Sequence, residues 1–131
     1  MPTTIGSMLL SSTNPQRLRD FYAQALDIKP DQTPDGGYDI LDVGGFYVLI
    51  DTRDDIGDRN PEPGRLIFNV DVDDAKAAAA RFEAAGATWL APLEDRDGSF
   101  FATAVDPDGN YVQIVQISEA MQAEMEAARQ K

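Results

Sequence analysis

The 131-residue sequence contains neither histidine nor cysteine. Any chemistry it performs must rest on carboxylates, hydroxyls, phenols, amides and cationic side chains. Ser–His and Cys–His catalysis, imidazole or thiolate metal ligation and a histidine pH switch are excluded. The densest acidic cluster is Asp51, Asp54, Asp55 and Asp58. As a calcium loop starting at Asp51 it fails, because Arg53 takes the third position and the required glycine is displaced to Gly57. It reads as a solvated loop. Asp51, Tyr47 and Tyr111 remain as candidate acids or bases, and no two titratable groups form a convincing pair in the sequence.

The charge balance narrows the partners. Twenty-three acidic residues against eleven basic ones give a net charge of −12. A nucleic-acid backbone or an anionic membrane would be repelled. The apolar run from Met8 to Leu10 is too short for a signal peptide, and no segment reaches the length of a membrane span. The expectation is a soluble cytoplasmic protein with no nucleic-acid or membrane partner. With 43% hydrophobic residues, a chain of this length can bury a core as a single domain over 1–131.

The elements that would position a site form a repeated pattern. Residues 4–11 read as a strand, and Asn14-Pro15 reads as a helix cap with proline in the first turn. Leu18, Phe21, Tyr22, Ala25 and Leu26 then share one helical face. Pro30 and Pro34 mark irregular or edge structure. Residues 37–43 and 45–52 form a hairpin around Gly44-Gly45. A polar, breaker-rich linker spans 53–64. The order then recurs: a strand from Arg65 to Val72, a helix capped by Asp73 with Ala75, Ala78, Ala79, Phe82 and Ala85 on one face, and Gly86 at its end. Thr88 to Leu90 reads as a short strand, and Ser99–Val105 with Tyr111–Ile117 as a closing hairpin. Phe21 and Phe82 occupy equivalent places. The reading is α+β: two βαβββ modules, 4–52 and 65–117, forming a curved mixed sheet around a concave groove. A C-terminal helix follows over 118–131, capped by Ser118, with an apolar stripe of Ile117, Met121, Met125 and Ala128. That stripe packs either on its own subunit or on a partner.

The last hairpin carries the strongest motif, Asp106-Pro107-Asp108-Gly109-Asn110. Together with Leu18-x-x-Phe21-Tyr22 and Val72-Asp73-Asp74-Ala75, in this order, it resembles the glyoxalase/bleomycin-resistance/dioxygenase superfamily, the vicinal oxygen chelate fold. The resemblance covers roughly residues 5–117. Asp27 stands where that family often has glycine, and aspartate tolerates the left-handed conformation.

Metal-dependent members of that family place four ligands on the concave sheet face. By the resemblance, these positions are Ser7, Leu49, Ile67 and Gln113. None is a carboxylate, imidazole or thiolate, so the resemblance implies the scaffold without its metal site and with no cofactor. Strand alternation then puts Leu9, Tyr47, Asn69, Phe101 and Thr103 on the same inward side, with Trp89 as a further aromatic. This composition suits a small-molecule pocket, with Gln113 and Asn69 as polar anchors and Tyr47, Phe101 and Trp89 as stacking surfaces.

The first functional reading is therefore a metal-independent glyoxalase/bleomycin-resistance-like protein that binds a small apolar or aromatic molecule, for drug or metabolite sequestration. The alternatives are a superfamily-type lyase, isomerase or dioxygenase-like enzyme with a non-standard site, and an interaction protein with a vestigial cavity. No catalytic residue is assigned. Exposed strand edges and the C-terminal stripe lead to the expectation of a homodimer.

Overall fold

The computed structural model describes residues 2–130. Its first module comprises β1 (Ser7–Ser12), α1 (Pro15–Ala25), β2 (Asp31–Gln32), β3 (Asp39–Val43) and β4 (Phe46–Thr52). The second comprises β5 (Phe68–Asp71), α2 (Ala75–Ala84), β6 (Thr88–Arg96), β7 (Ser99–Val105) and β8 (Tyr111–Gln116), and α3 (Glu119–Arg129) ends the chain. The eight strands divide into two four-stranded sheets of matching order, β1-β4-β3-β2 and β5-β8-β7-β6. In each sheet the first strand lies parallel to the last and the other pairs are antiparallel. This is an α+β fold built from two βαβββ modules.

Local chemistry accounts for the element ends. The Asn14 side chain accepts from the Arg17 amide, with Pro15 in the first turn of α1. The cap of α2 is Asp74, one residue later than the sequence reading placed it; its carboxylate accepts from the Ala77 amide. Ser118 caps α3. Gly44 and Gly45 both have positive φ, so the β3–β4 turn is a two-residue loop that keeps the strand twist. Asp27 ends the first helical segment at φ 55, the left-handed conformation glycine would take more easily.

One face of each sheet is packed by its own helix, and α1 and α2 pack on each other. Leu18, Phe21, Tyr22 and Ala25 of α1 and Ala75, Ala78 and Phe82 of α2 are buried against Leu41, Val48, Ile50, Ala102, Ala104, Val112 and Ile114 of the sheets. Phe21 and Phe82 meet edge to face, their ring centroids 5.9 Å apart. The two equivalent phenylalanines of the repeat thus form the seam between modules.

The linker crosses back over this seam. The Thr13 hydroxyl donates to Asp58 at 2.8 Å, the Asn60 amide donates to the Asp108 carbonyl at 2.8 Å, and the Asn60 side chain donates to that of Asn110 at 3.0 Å. Arg17 of α1 pairs with Asp108 at 2.9 Å. Gly109, at φ 83, lies so close to Arg59 that a Cβ there would sit 3.1 Å from its guanidinium.

Two strand boundaries needed correction. The strand expected from Arg65 to Val72 starts only at Phe68 and ends at Asp71, because Pro63–Arg65 forms a short 3₁₀ turn, and Leu66, between turn and strand, is 73% exposed. The strand expected over Thr88–Leu90 extends to Arg96, with register shifts between Trp89 and Glu94 that accommodate Pro92 on an edge strand. The C-terminal helix α3 buries none of its residues within the single chain, which leaves open whether its apolar stripe packs on its own subunit or on a partner.

Candidate functional site

Strand register decides which candidate residues share a face. In the second sheet Asn69 is level with Gln113, and Gln113 with Thr103, so the three form one row across β5, β8 and β7. The next row joins Asp71, Val115, Phe101 and Glu94. In the first sheet Ser7 is level with Tyr47, and Tyr47 with Asp42; Leu9 is level with Leu49, and Leu49 with Ile40. The alternate residues Met8, Leu10, Val48, Phe68, Val70, Val112 and Ile114 belong to the core under the helices. Ser7, Leu9, Tyr47, Leu49, Asn69, Phe101, Thr103 and Gln113 therefore lie on the faces the helices leave uncovered. Ile67, one residue before β5, is 39% exposed.

Trp89 does not join them. It is level with Ala104, a core residue, and packs against the core on the helix side. Side chains level with each other across a strand pair point the same way, and the register shifts that follow Trp89 defeat alternation counted in sequence. It is corrected here from a groove residue to a core-packing one.

The open faces mix polar and apolar groups. Leu9 is 48% exposed and Tyr47 45%, whereas Thr103 and Val115 are buried. Among the described residues neither the Asn69 nor the Gln113 side chain has a hydrogen-bond partner, so both amides can donate and accept outward. The Ser11 hydroxyl donates to Asp51 at 2.5 Å, which engages the one carboxylate that the sequence offered as an acid or base.

Two residues of this face escaped the sequence reading. The Arg96 guanidinium stands over the Phe101 ring at 5.1 Å, and Glu94 pairs with Arg96 at 3.0 Å. Both lie in the part of β6 beyond Leu90. The alternation that would reveal them is broken by Pro92 and the register shifts. At the far end of the second sheet, α3 frames a cavity of about 410 Å³, where Met125 and Arg129 stand opposite Asp71 and Val115.

Ser7, Leu49, Ile67 and Gln113, the positions that the resemblance matches to metal ligands, hold a hydroxyl, two aliphatic chains and an amide. Such a set cannot offset the dehydration of a divalent transition metal. No group of three or more His, Cys, Asp or Glu among the described residues is placed to hold a metal ion. The residues present do not fit the metal of the metal-dependent relatives.

The most perturbed titratable groups lie elsewhere, at the closing turn. Asp106 accepts from the Tyr22 hydroxyl at 2.7 Å, from the backbone amides of Asp108 and Asn110 at 2.9 Å each, and from the Asn110 side chain at 3.0 Å. Burial pushes its carboxyl above the ordinary carboxylate range, against the pull of these hydrogen bonds. Burial, then the charge of Asp106, holds the Tyr22 phenol well above its usual value. Both groups belong to the core and turn, away from the open faces.

Comparison with known proteins places this architecture. No curated protein matches the sequence. Among solved structures, a hypothetical protein from S. aureus superposes with a TM-score of 0.73 at 17% identity, covering 89% of this chain and 95% of that one. A glyoxalase-related enzyme from Fulvimarina pelagi gives 0.72 at 17% identity, with 88% and 89% covered. A glyoxalase/bleomycin resistance protein/dioxygenase family enzyme from Burkholderia phytofirmans gives 0.71 at 16% identity, with 88% and 100% covered. At these identities the likeness is one of fold. Residues 7–115 match the family described as Glyoxalase-like domain, from β1 into β8, and the chain belongs to that family.

Proposed function

We propose that the protein binds a small apolar or aromatic molecule on the open sheet faces, without a metal, and that it sequesters this molecule instead of transforming it. The observation that carries the reading is the row Asn69–Gln113–Thr103 beside Phe101. Two amides without protein partners sit next to an aromatic ring and a partly apolar floor. That combination orients a neutral or cationic ligand by hydrogen bonds and holds it by contact area. The net charge of −12 favours a cation over an anion.

The apolar part of the face also supports a homodimer. Leu9, Tyr47 and Ile67 are large side chains left 39–48% exposed by a single chain. A second copy laid over the open faces would cover them and turn an open surface into an enclosed groove. A metal-independent enzyme is the weaker reading, since Asp51 is engaged by the Ser11 hydroxyl.

The test is a thermal-shift screen of the purified protein with neutral and cationic aromatic compounds, followed by titration of the best hit into Gln113→Leu and Phe101→Ala. Weakened binding by both variants supports the open face as the site. Unchanged affinity in both, with the fold intact, would overturn it and move the interaction-protein reading ahead.

A further inference from the structure

A second, separate cavity of about 440 Å³ opens between the modules, beneath the helix-covered side of the first sheet. Its walls are Met8 of β1, Val48 of β4, Tyr22 and Leu26 of α1, and Phe68 and Val70 of β5. Tyr22 is 1% exposed and Val48 5%, so the cavity cuts into the hydrophobic core itself. Its volume falls in the range of small-molecule sites. The Tyr22 hydroxyl is already given to Asp106, so this residue offers the cavity a ring and not a donor.

The polar side of the cavity is a strand edge. β5 is the terminal strand of its sheet, and β8 is its one hydrogen-bonded neighbour. The stretch from Phe68 to Asp71 lines the cavity, so the outward backbone N–H and C=O groups of β5 border it without a pairing strand. A ligand bearing an N–H donor, or an amide-like donor and acceptor, can pair with such an edge. The net charge of −12, with Asp71 among the lining residues, disfavours an anion.

We propose that this inter-module cavity is a second ligand site, distinct from the open face, for an uncharged or cationic aromatic molecule of about two rings carrying an amine or amide N–H. Asn69, on the β5 edge, borders both sites, whereas Phe101 and Gln113 do not line this cavity.

The probe for the test is N-phenyl-1-naphthylamine, a neutral aromatic amine whose fluorescence rises in apolar surroundings. Its sulfonated relative, 8-anilino-1-naphthalenesulfonate, adds an anionic charge to nearly the same body. The expected result is saturable binding of one neutral probe per chain, with the sulfonate about tenfold weaker. Met8→Trp, which fills the cavity, should weaken the neutral probe about tenfold or more, while Phe101→Ala and Gln113→Leu should leave it within about twofold. If circular dichroism shows that Met8→Trp fails to fold, Val43→Phe at the cavity rim carries the same expectation. The proposal is overturned by any of three results: no saturable binding, unchanged affinity in a folded cavity-filled variant, or loss of binding in Phe101→Ala. The last of these would put the probe on the open face and leave the proposed function standing.

Discussion

The Tyr22 hydroxyl donates to the Asp106 carboxylate at 2.7 Å across 84 residues of sequence, joining the first helix to the turn before the last strand. Both partners are buried. The bond links the two modules through their most recognisable motifs, and it sits among three further hydrogen bonds to the same carboxylate.

Removing the donor should therefore cost stability without changing the fold. Tyr22→Phe should lower the unfolding free energy by about 1–2 kcal/mol, read by urea denaturation, because Asp106 keeps its other partners. Asp106→Asn should cost about 1–3 kcal/mol, since one side of the amide turns a donor toward the Asn110 side-chain donor.

The same pair gives a pH signature of definite sign. Burial raises the folded Asp106 carboxyl above its unfolded value, so the native state binds this proton more tightly. Its contribution to stability therefore rises as pH falls through the folded value and levels off below the unfolded one. The stability gap between wild type and Asp106→Asn should widen as pH falls from neutrality toward the ordinary carboxylate value of about 4, read in parallel urea titrations. A gap that narrows would show that the hydrogen bonds outweigh burial and hold the carboxyl low.

The aromatic seam should be the costliest place to cut. Phe82 is fully buried and meets Phe21 edge to face. Phe82→Ala should lose about 3–5 kcal/mol, through lost contact and a residual cavity. Calorimetry or denaturant melts would read the effect, and a loss below about 1 kcal/mol would mean that the two helices do not depend on this contact.

Backbone conformation gives a further contrast. Asp27 sits at φ 55. Asp27→Val should cost about 1–2 kcal/mol, because a β-branched residue resists the left-handed region, while Asp27→Gly should be tolerated. Melting temperatures of the two variants would separate them.

For the metal, elemental analysis of dialysed protein should find well under one zinc, nickel, iron or manganese per chain. The four positions Ser7, Leu49, Ile67 and Gln113 supply no anionic donor. Stoichiometric metal that survives dialysis would mean that other side chains form the site.

Much of this architecture could be read before the structure. Periodicity of 3.6 exposed the buried faces of α1 and α2, and Gly44-Gly45 and the Asp106–Asn110 turn marked two hairpins, because glycine and proline act locally. Strict alternation sorted β4, β7 and β8 correctly into helix-facing and open sides. It failed in β6, where register shifts follow Trp89, and in β5, where Arg65 and Leu66 are extended or 3₁₀ backbone before the strand begins. The shifts in β6 hid Arg96 and Glu94 from the candidate site, while Trp89, taken into the groove only as an aromatic, packs against the core. The inter-module cavity had no sequence signal at all, since its walls come from residues that each read as ordinary core.

The crossing linker has a consequence for how the protein would meet a protease. Residues 53–64 look like an inviting cut site, being polar, rich in breakers and exposed. Yet Asp58 and Asn60 are tied to Thr13, Asp108 and Asn110, and Arg59 lies against Gly109. Cleavage needs a stretch of chain to lift away and enter the protease as an extended strand, and here lifting would break the ties that join the two halves. Among the described residues α3 has none buried, and what ties it to the sheet is the Ser118 amide at its cap, which donates to the Ser99 hydroxyl. Trimming should therefore begin near the C-terminus, and the apparently looser middle of the chain should behave as a seam sewn shut.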